Sequence, residues 1–180
     1  NQPSEYKERY HVKRSMHHRG WVPFSEIGQF EKDNESHQVF YESFDLSYDL
    51  KPGDARIQNG YGLVGPNIWP DLPNFRSRVK TYYDSVYDLG RDLLGIFELG
   101  LGMEEGQLLR YINAPTSQLR LLNYLENDAP ADEFHHGIDA HSDFECFTIL
   151  HSTGPGLQVL SSKGHWVETP PVDDHFIVLI

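Results

Sequence analysis

Apolar side chains recur at spacings of three and four over one long stretch. Phe75, Val79, Tyr82, Val86, Leu89, Leu93 and Phe97 mark one face of a helix over residues 74–100. Pro73 and Asn74 supply the start, with Asn74 a candidate N-cap, and Gly100 and Gly102 supply the stop. A shorter stripe, Leu108, Leu109 and Ile112, predicts a second helix over 104–111. Upstream, residues 1–70 show little period. Pro23, Pro52-Gly53, Asn59-Gly60 and Gly65-Pro66-Asn67 interrupt them, which predicts an extended region with short strands around 39–46. From 116 onward the pattern changes to short apolar runs at 118–125, 144–151, 157–160, 165–168 and 175–180. Gly154-Pro155-Gly156, Ser162-Lys163-Gly164 and Pro170-Pro171 separate the later runs, so 157–160 and 165–168 are expected to form a hairpin.

These elements predict an α+β protein. Residues 1–70 form an extended N-terminal region, 71–115 a helical scaffold, and 116–180 the first part of a jelly roll or similar barrel, all in one domain. The final run, His175 to Ile180, reads as a buried strand without a polar tail, and the first residue is Asn1 rather than Met. Natural ends usually lie at the surface, so the expectation is a chain truncated at its C-terminus.

Composition narrows the function. The chain has 180 residues, 38% of them hydrophobic, which is enough for a buried core. Lys plus Arg total 15 against 27 Asp plus Glu, a net charge of −12 that repels phosphate backbones and argues against nucleic acid as a partner. The lone Cys146 excludes an internal disulfide framework and multi-thiolate zinc sites; it is expected to be a small core residue. No apolar run approaches a membrane span and the start is polar, so a cytoplasmic protein without a membrane partner is the expectation. The His17-His18-Arg19 run reads as surface, and Trp166 as hairpin packing.

Candidate chemistry concentrates in Glu133-Phe134-His135-His136-Gly137-Ile138-Asp139-Ala140-His141-Ser142-Asp143-Phe144. His141 and Asp143 stand two apart, and at the mouth of a strand such residues face the same side. An imidazole and a carboxylate placed so provide two-thirds of a 2-His-1-carboxylate triad, the arrangement that leaves open positions on non-haem iron(II). A solvated surface pair is the other reading of His-x-Asp. His135 and His136 read either as substrate contacts or as a solvated loop.

A longer series of motifs goes further. Gly137-Ile138-Asp139-Ala140-His141-Ser142-Asp143-Phe144, Phe147-Thr148-Ile149-Leu150, Gly156-Leu157-Gln158-Val159-Leu160, Lys163-Gly164-His165-Trp166-Val167 and Thr169-Pro170-Pro171 follow in order. Upstream stand Ser117-Gln118-Leu119-Arg120-Leu121-Leu122-Asn123-Tyr124 and Gly65-Pro66-Asn67-Ile68-Trp69-Pro70. Together they resemble the iron(II)/2-oxoglutarate-dependent dioxygenases of the isopenicillin N synthase-like family, over residues 60–180. The resemblance implies a double-stranded β-helix, with Fe(II), 2-oxoglutarate and O₂ acting on a small-molecule substrate by hydroxylation, desaturation or ring closure. It matches His141 and Asp143 to the first two iron ligands and Tyr124 to a tyrosine that holds the 2-oxoglutarate carboxylate. A phenol can donate to a carboxylate, while Tyr124 also reads as an aromatic packed in the barrel. The third ligand, a histidine, and the arginine that pairs with the co-substrate are expected beyond Ile180, and His151, His165 and His175 are not assigned to either role. An oxidase of the same family working without 2-oxoglutarate, and a non-catalytic jelly-roll binding domain, remain as alternatives.

Overall fold

The computed structural model describes residues 2–24, 41–58, 62–112, 116–124, 137–138 and 140–180. The chain packs as two compact units, Asn1–Ala140 and His141–Ile180.

The first unit opens with α1 (Ser4–Lys7), followed by 3₁₀ turns at Glu8–Tyr10 and Val12–Arg14. A sheet of β1 (Gly20–Val22), β2 (Tyr41–Ser47) and β3 (Gln118–Tyr124) follows in that spatial order, antiparallel throughout. The expected strand around 39–46 is β2, which runs one residue further, to Ser47; residues 39 and 40 lie outside the described residues. Register sets Tyr41 opposite Tyr124, Ser43 opposite Leu122 and Asp45 opposite Arg120. Alternation therefore divides the sheet into two faces. Glu42, Phe44 and Leu46 share one face with Leu119, Leu121 and Asn123; Tyr41, Ser43 and Asp45 share the other with Arg120, Leu122 and Tyr124.

A short helix, α2 (Ala55–Gln58), precedes the long α3 (Phe75–Gly100). Phe75 meets the first face of the sheet through Phe44, their rings 5.8 Å apart and edge-on. The predicted start of α3 is right to a residue, but Asn74 does not cap with its side chain. Its backbone is left-handed at φ 61°, and its carbonyl accepts from Arg78 N and Ser77 Oγ. The helix ends as the glycines predict. Gly102, at φ 66°, donates to Leu99 O while Met103 N donates to Glu98 O, a Schellman closure.

The predicted helix over 104–111 does not form; only the 3₁₀ turn Leu109–Tyr111 appears. Gly106 lies at φ 78°, which breaks helical continuity. Gly106 N, Leu108 N and Leu109 N donate to the buried Glu98 carboxylate, the last two in place of the acceptors a helix over 104–111 would give them. Burial opposes that charge, but the three N–H donors hold the carboxyl below its ordinary value.

Trp21, Tyr41, Leu46, Leu50 and Val64 are the buried hydrophobic residues described, all in this unit. Arg19 is fully buried, not on the surface as expected: its guanidinium donates to the carbonyls of His17, His18 and Leu63. Those carbonyls take the donors of Nη1 and Nη2, while the buried Nε finds no hydrogen-bond partner among the described residues.

The second unit holds two antiparallel pairs. β4 (Thr148–Leu150) pairs with β7 (Ile177–Leu179), and β5 (Gln158–Leu160) with β6 (Trp166–Glu168). The expected hairpin is the second pair, with Ser161 N donating to His165 O. Its strands and those of the first pair are shorter than the apolar runs suggested. No residue of this unit falls in the buried class. Cys146 is exposed rather than core, and Trp166 is 53% exposed rather than packed in the hairpin. The run 175–180 yields a paired strand with Ile180 exposed, not a buried one. Three-residue strands present too little surface to cover these side chains within the unit.

Candidate metal and co-substrate site

His141 and Asp143 lie in the irregular segment before β4, at the approach to a strand as expected. Their side chains nevertheless converge, His141 Nε2 standing 3.3 Å from Asp143 Oδ1. Two ligands bound at right angles with metal–ligand bonds of about 2.1 Å are themselves about 3 Å apart. The observed spacing therefore fits adjacent positions on one octahedral ion, and a nitrogen–oxygen donor set suits iron(II). The side chains are 55% and 33% exposed, so an ion can reach them from solvent.

Asp143 is oriented from behind. Thr148 Oγ1, on the first residue of β4, donates to Asp143 Oδ2 at 2.6 Å, leaving Oδ1 toward the imidazole. Hydrogen bonds of this kind fix a ligating carboxylate and tune its basicity. Thr148 was part of a recognised run but not singled out; only the folded segment shows its hydroxyl meeting the carboxylate.

Among the described residues no group of three His, Cys, Asp or Glu side chains gathers for a metal. The His151 ring stands edge-on to Phe176 at 5.9 Å, and His175 Nδ1 lies 2.7 Å from Asp173 O. His135, His136 and Asp139 lie outside the described residues.

Tyr124 belongs to the first unit, at the end of β3. It is half exposed, with its ring 5.6 Å from that of Tyr41, its partner across the sheet. Partial burial, reinforced by Tyr41 and opposed by Arg120, raises its phenol above the ordinary value. The group therefore stays protonated at neutral pH and can donate a hydrogen bond. On the same face Arg120 donates from Nε and Nη2 to the two oxygens of Asp45, each at 3.2 Å, and Ser43 Oγ donates to Asp45 Oδ1 at 2.9 Å.

Comparison with known proteins gives the chain a family. Residues 115–180 match the 2OG-Fe(II) oxygenase superfamily. The 2-oxoglutarate-Fe(II) type oxidoreductase hxnY of Emericella nidulans is 35% identical over 127 residues, covering 67% of this chain and 36% of that protein. The 2-oxoglutarate-dependent dioxygenase gloF of Glarea lozoyensis is 35% identical over 81% of this chain and 45% of its own length. Isopenicillin N synthase of Lysobacter lactamgenus is 31% identical over 82% of this chain and 47% of its own. A 2OG-Fe(II) oxygenase family protein of Caulobacter crescentus superposes with a TM-score of 0.72 at 28% identity, covering 94% of this chain and 53% of that one. The chain belongs to the 2-oxoglutarate/iron(II) oxygenase superfamily, an enzyme family that uses Fe(II), 2-oxoglutarate and O₂. It spans less than half the length of these curated relatives. Among the described residues no helix is long and apolar enough to cross a membrane.

Proposed function

We propose that this chain is part of an iron(II)/2-oxoglutarate-dependent oxygenase acting on a small-molecule substrate, built on a double-stranded β-helix. The observation that carries the reading is the 3.3 Å approach of His141 Nε2 to Asp143 Oδ1. These two atoms supply adjacent ligands, and Thr148 holds the carboxylate for that task. The Tyr124 phenol, kept protonated, donates to a carboxylate oxygen of 2-oxoglutarate. Iron(II), when bound with 2-oxoglutarate and O₂, supplies the oxidising power to hydroxylate a C–H bond, with succinate and CO₂ as co-products.

The complete polypeptide, loaded anaerobically with Fe(II), is the material for the test. Addition of 2-oxoglutarate is expected to produce a visible metal-to-ligand charge-transfer band. His141→Ala and Asp143→Ala should each abolish the band while the protein remains folded. A full band in either variant removes that residue from the site. The likeness to isopenicillin N synthase supports a second reading, an oxidase that needs no 2-oxoglutarate. Metal binding without any band on adding 2-oxoglutarate would favour it.

A further inference from the structure

Gly137 opens the motif that runs to His141 and Asp143, and nothing so far explains why a glycine stands there. Its backbone φ is not in the left-handed region that favours glycine. The constraint is space. A Cβ built on Gly137 would stand 2.8 Å from Tyr124 Cε1 and 2.9 Å from Cδ1. Carbon atoms in ordinary contact are about 3.5–4.0 Å apart. The backbone at Gly137 thus lies directly against the tyrosine ring, where any side chain would intrude.

We propose that Gly137 is a positioning residue for Tyr124: the absence of a side chain lets this segment pack against the ring and set where the phenol oxygen points. The inference rests on the reading that Tyr124 binds the co-substrate carboxylate. Among the described residues, Tyr41 across the sheet and Gly137 thirteen positions along the chain lie against the ring and limit its swing. Its own backbone is tied to β2 by the strand register. A methyl group at position 137 therefore forces the ring away by roughly 1 Å to restore contact distance. Where the ring yields by a swing about χ1, the hydroxyl, which lies farther from the Cα than the clashing atoms, moves at least as far; a turn about χ2 alone would leave it in place. A shift of that size takes a hydrogen bond outside its working distance, and misplacements of about 1 Å cost on the order of a hundredfold where geometry matters. The same motif then serves two tasks. Its last residues bind metal, and its first seats the tyrosine.

The test uses the complete polypeptide and 2-oxoglutarate as the probe. Affinity is measured by calorimetry with Co(II) in place of iron, and Tyr124 ring resonances are followed by NMR without metal. In the unsubstituted protein, nuclear Overhauser contacts between the Gly137 α-protons and the Tyr124 ring are expected; their absence overturns the packing on which the proposal stands. This measurement needs no variant and survives if a substitution fails to fold. Gly137→Ala should shift the ring resonances and weaken 2-oxoglutarate binding by about 10- to 100-fold, while the affinity for Co(II) alone stays unchanged. In a Tyr124→Phe background the same substitution should change 2-oxoglutarate affinity less than about twofold, since the displaced group is gone. Gly137→Ala with unaltered affinity, beside a weakened Tyr124→Phe, overturns the role of Gly137 alone. Tyr124→Phe with unaltered affinity instead overturns the reading of Tyr124 beneath it.

Discussion

Thr148→Val replaces one hydroxyl by a methyl of similar volume, so it tests the support of Asp143 with little change in packing. The bond it removes is 2.6 Å long between Oγ1 and Oδ2, within the range of hydroxyl-to-carboxylate bonds. Hydrogen bonds to charged groups contribute about 1.5–3 kcal/mol. Solvent shares the work here, since the Asp143 side chain is 33% exposed, so the lower end applies. A loss of about 1.5 kcal/mol is roughly tenfold in affinity, at the low edge of the 10- to 100-fold range for residues behind a metal ligand. The assay is anaerobic titration with Fe(II), or with Co(II) followed by its visible absorption, on the complete polypeptide. Thr148→Ser, which keeps the hydroxyl, should bind metal within about threefold of the unsubstituted protein. Equal affinity in Thr148→Val and the parent would refute the argument that this hydroxyl orients the carboxylate.

Other consequences follow from the first unit. Leu46→Ala should destabilise it by about 2–5 kcal/mol, since Leu46 is 1% exposed; denaturant unfolding measures this. Glu98→Gln should speed hydrogen exchange at the amides of Gly106, Leu108 and Leu109, and unchanged protection there would show that the carboxylate does not hold them. Burial raises the Glu42 carboxyl, but Lys7, Asn123 and Trp21 donate to it and leave it below its ordinary value. Its contribution to stability is therefore complete above the unfolded carboxylate value and is lost as pH falls through the lower folded one. Glu42→Gln should flatten the acid limb of a stability–pH profile, and an unaltered limb would mean that Glu42 is not among the groups responsible.

The long helix was legible because its signal is local. Seven apolar residues at helical spacing, a proline before and glycines after are read from neighbours in sequence, and the helix forms within a residue of that reading. The stripe at 104–111 carried the same kind of signal but failed, because Glu98 offered those amides an acceptor that no periodicity reveals. The later strands were recognised by their turns, although their lengths were not; pairing partners decide where a strand ends, and pairing is not local.

The sequence by itself put the backbones of His141 and Asp143 close together, because two residues separated by one position cannot lie far apart whatever the fold does, while the convergence of their side chains came from the structure. It also named the family through motifs in a set order. Only the tertiary structure decided the contacts: in the second unit Thr148 behind Asp143, and in the first Tyr41 opposite Tyr124, Gly137 against the tyrosine ring, and Arg19 buried with its guanidinium on three carbonyls. Except for the Thr148 hydroxyl five residues from Asp143 and the His17 and His18 carbonyls beside Arg19, these contacts join positions remote in sequence, and the short loop contacts depend on backbone paths that no repeat of apolar residues encodes. Local pattern sets which element a residue enters, whereas burial and the satisfaction of polar groups choose its neighbours.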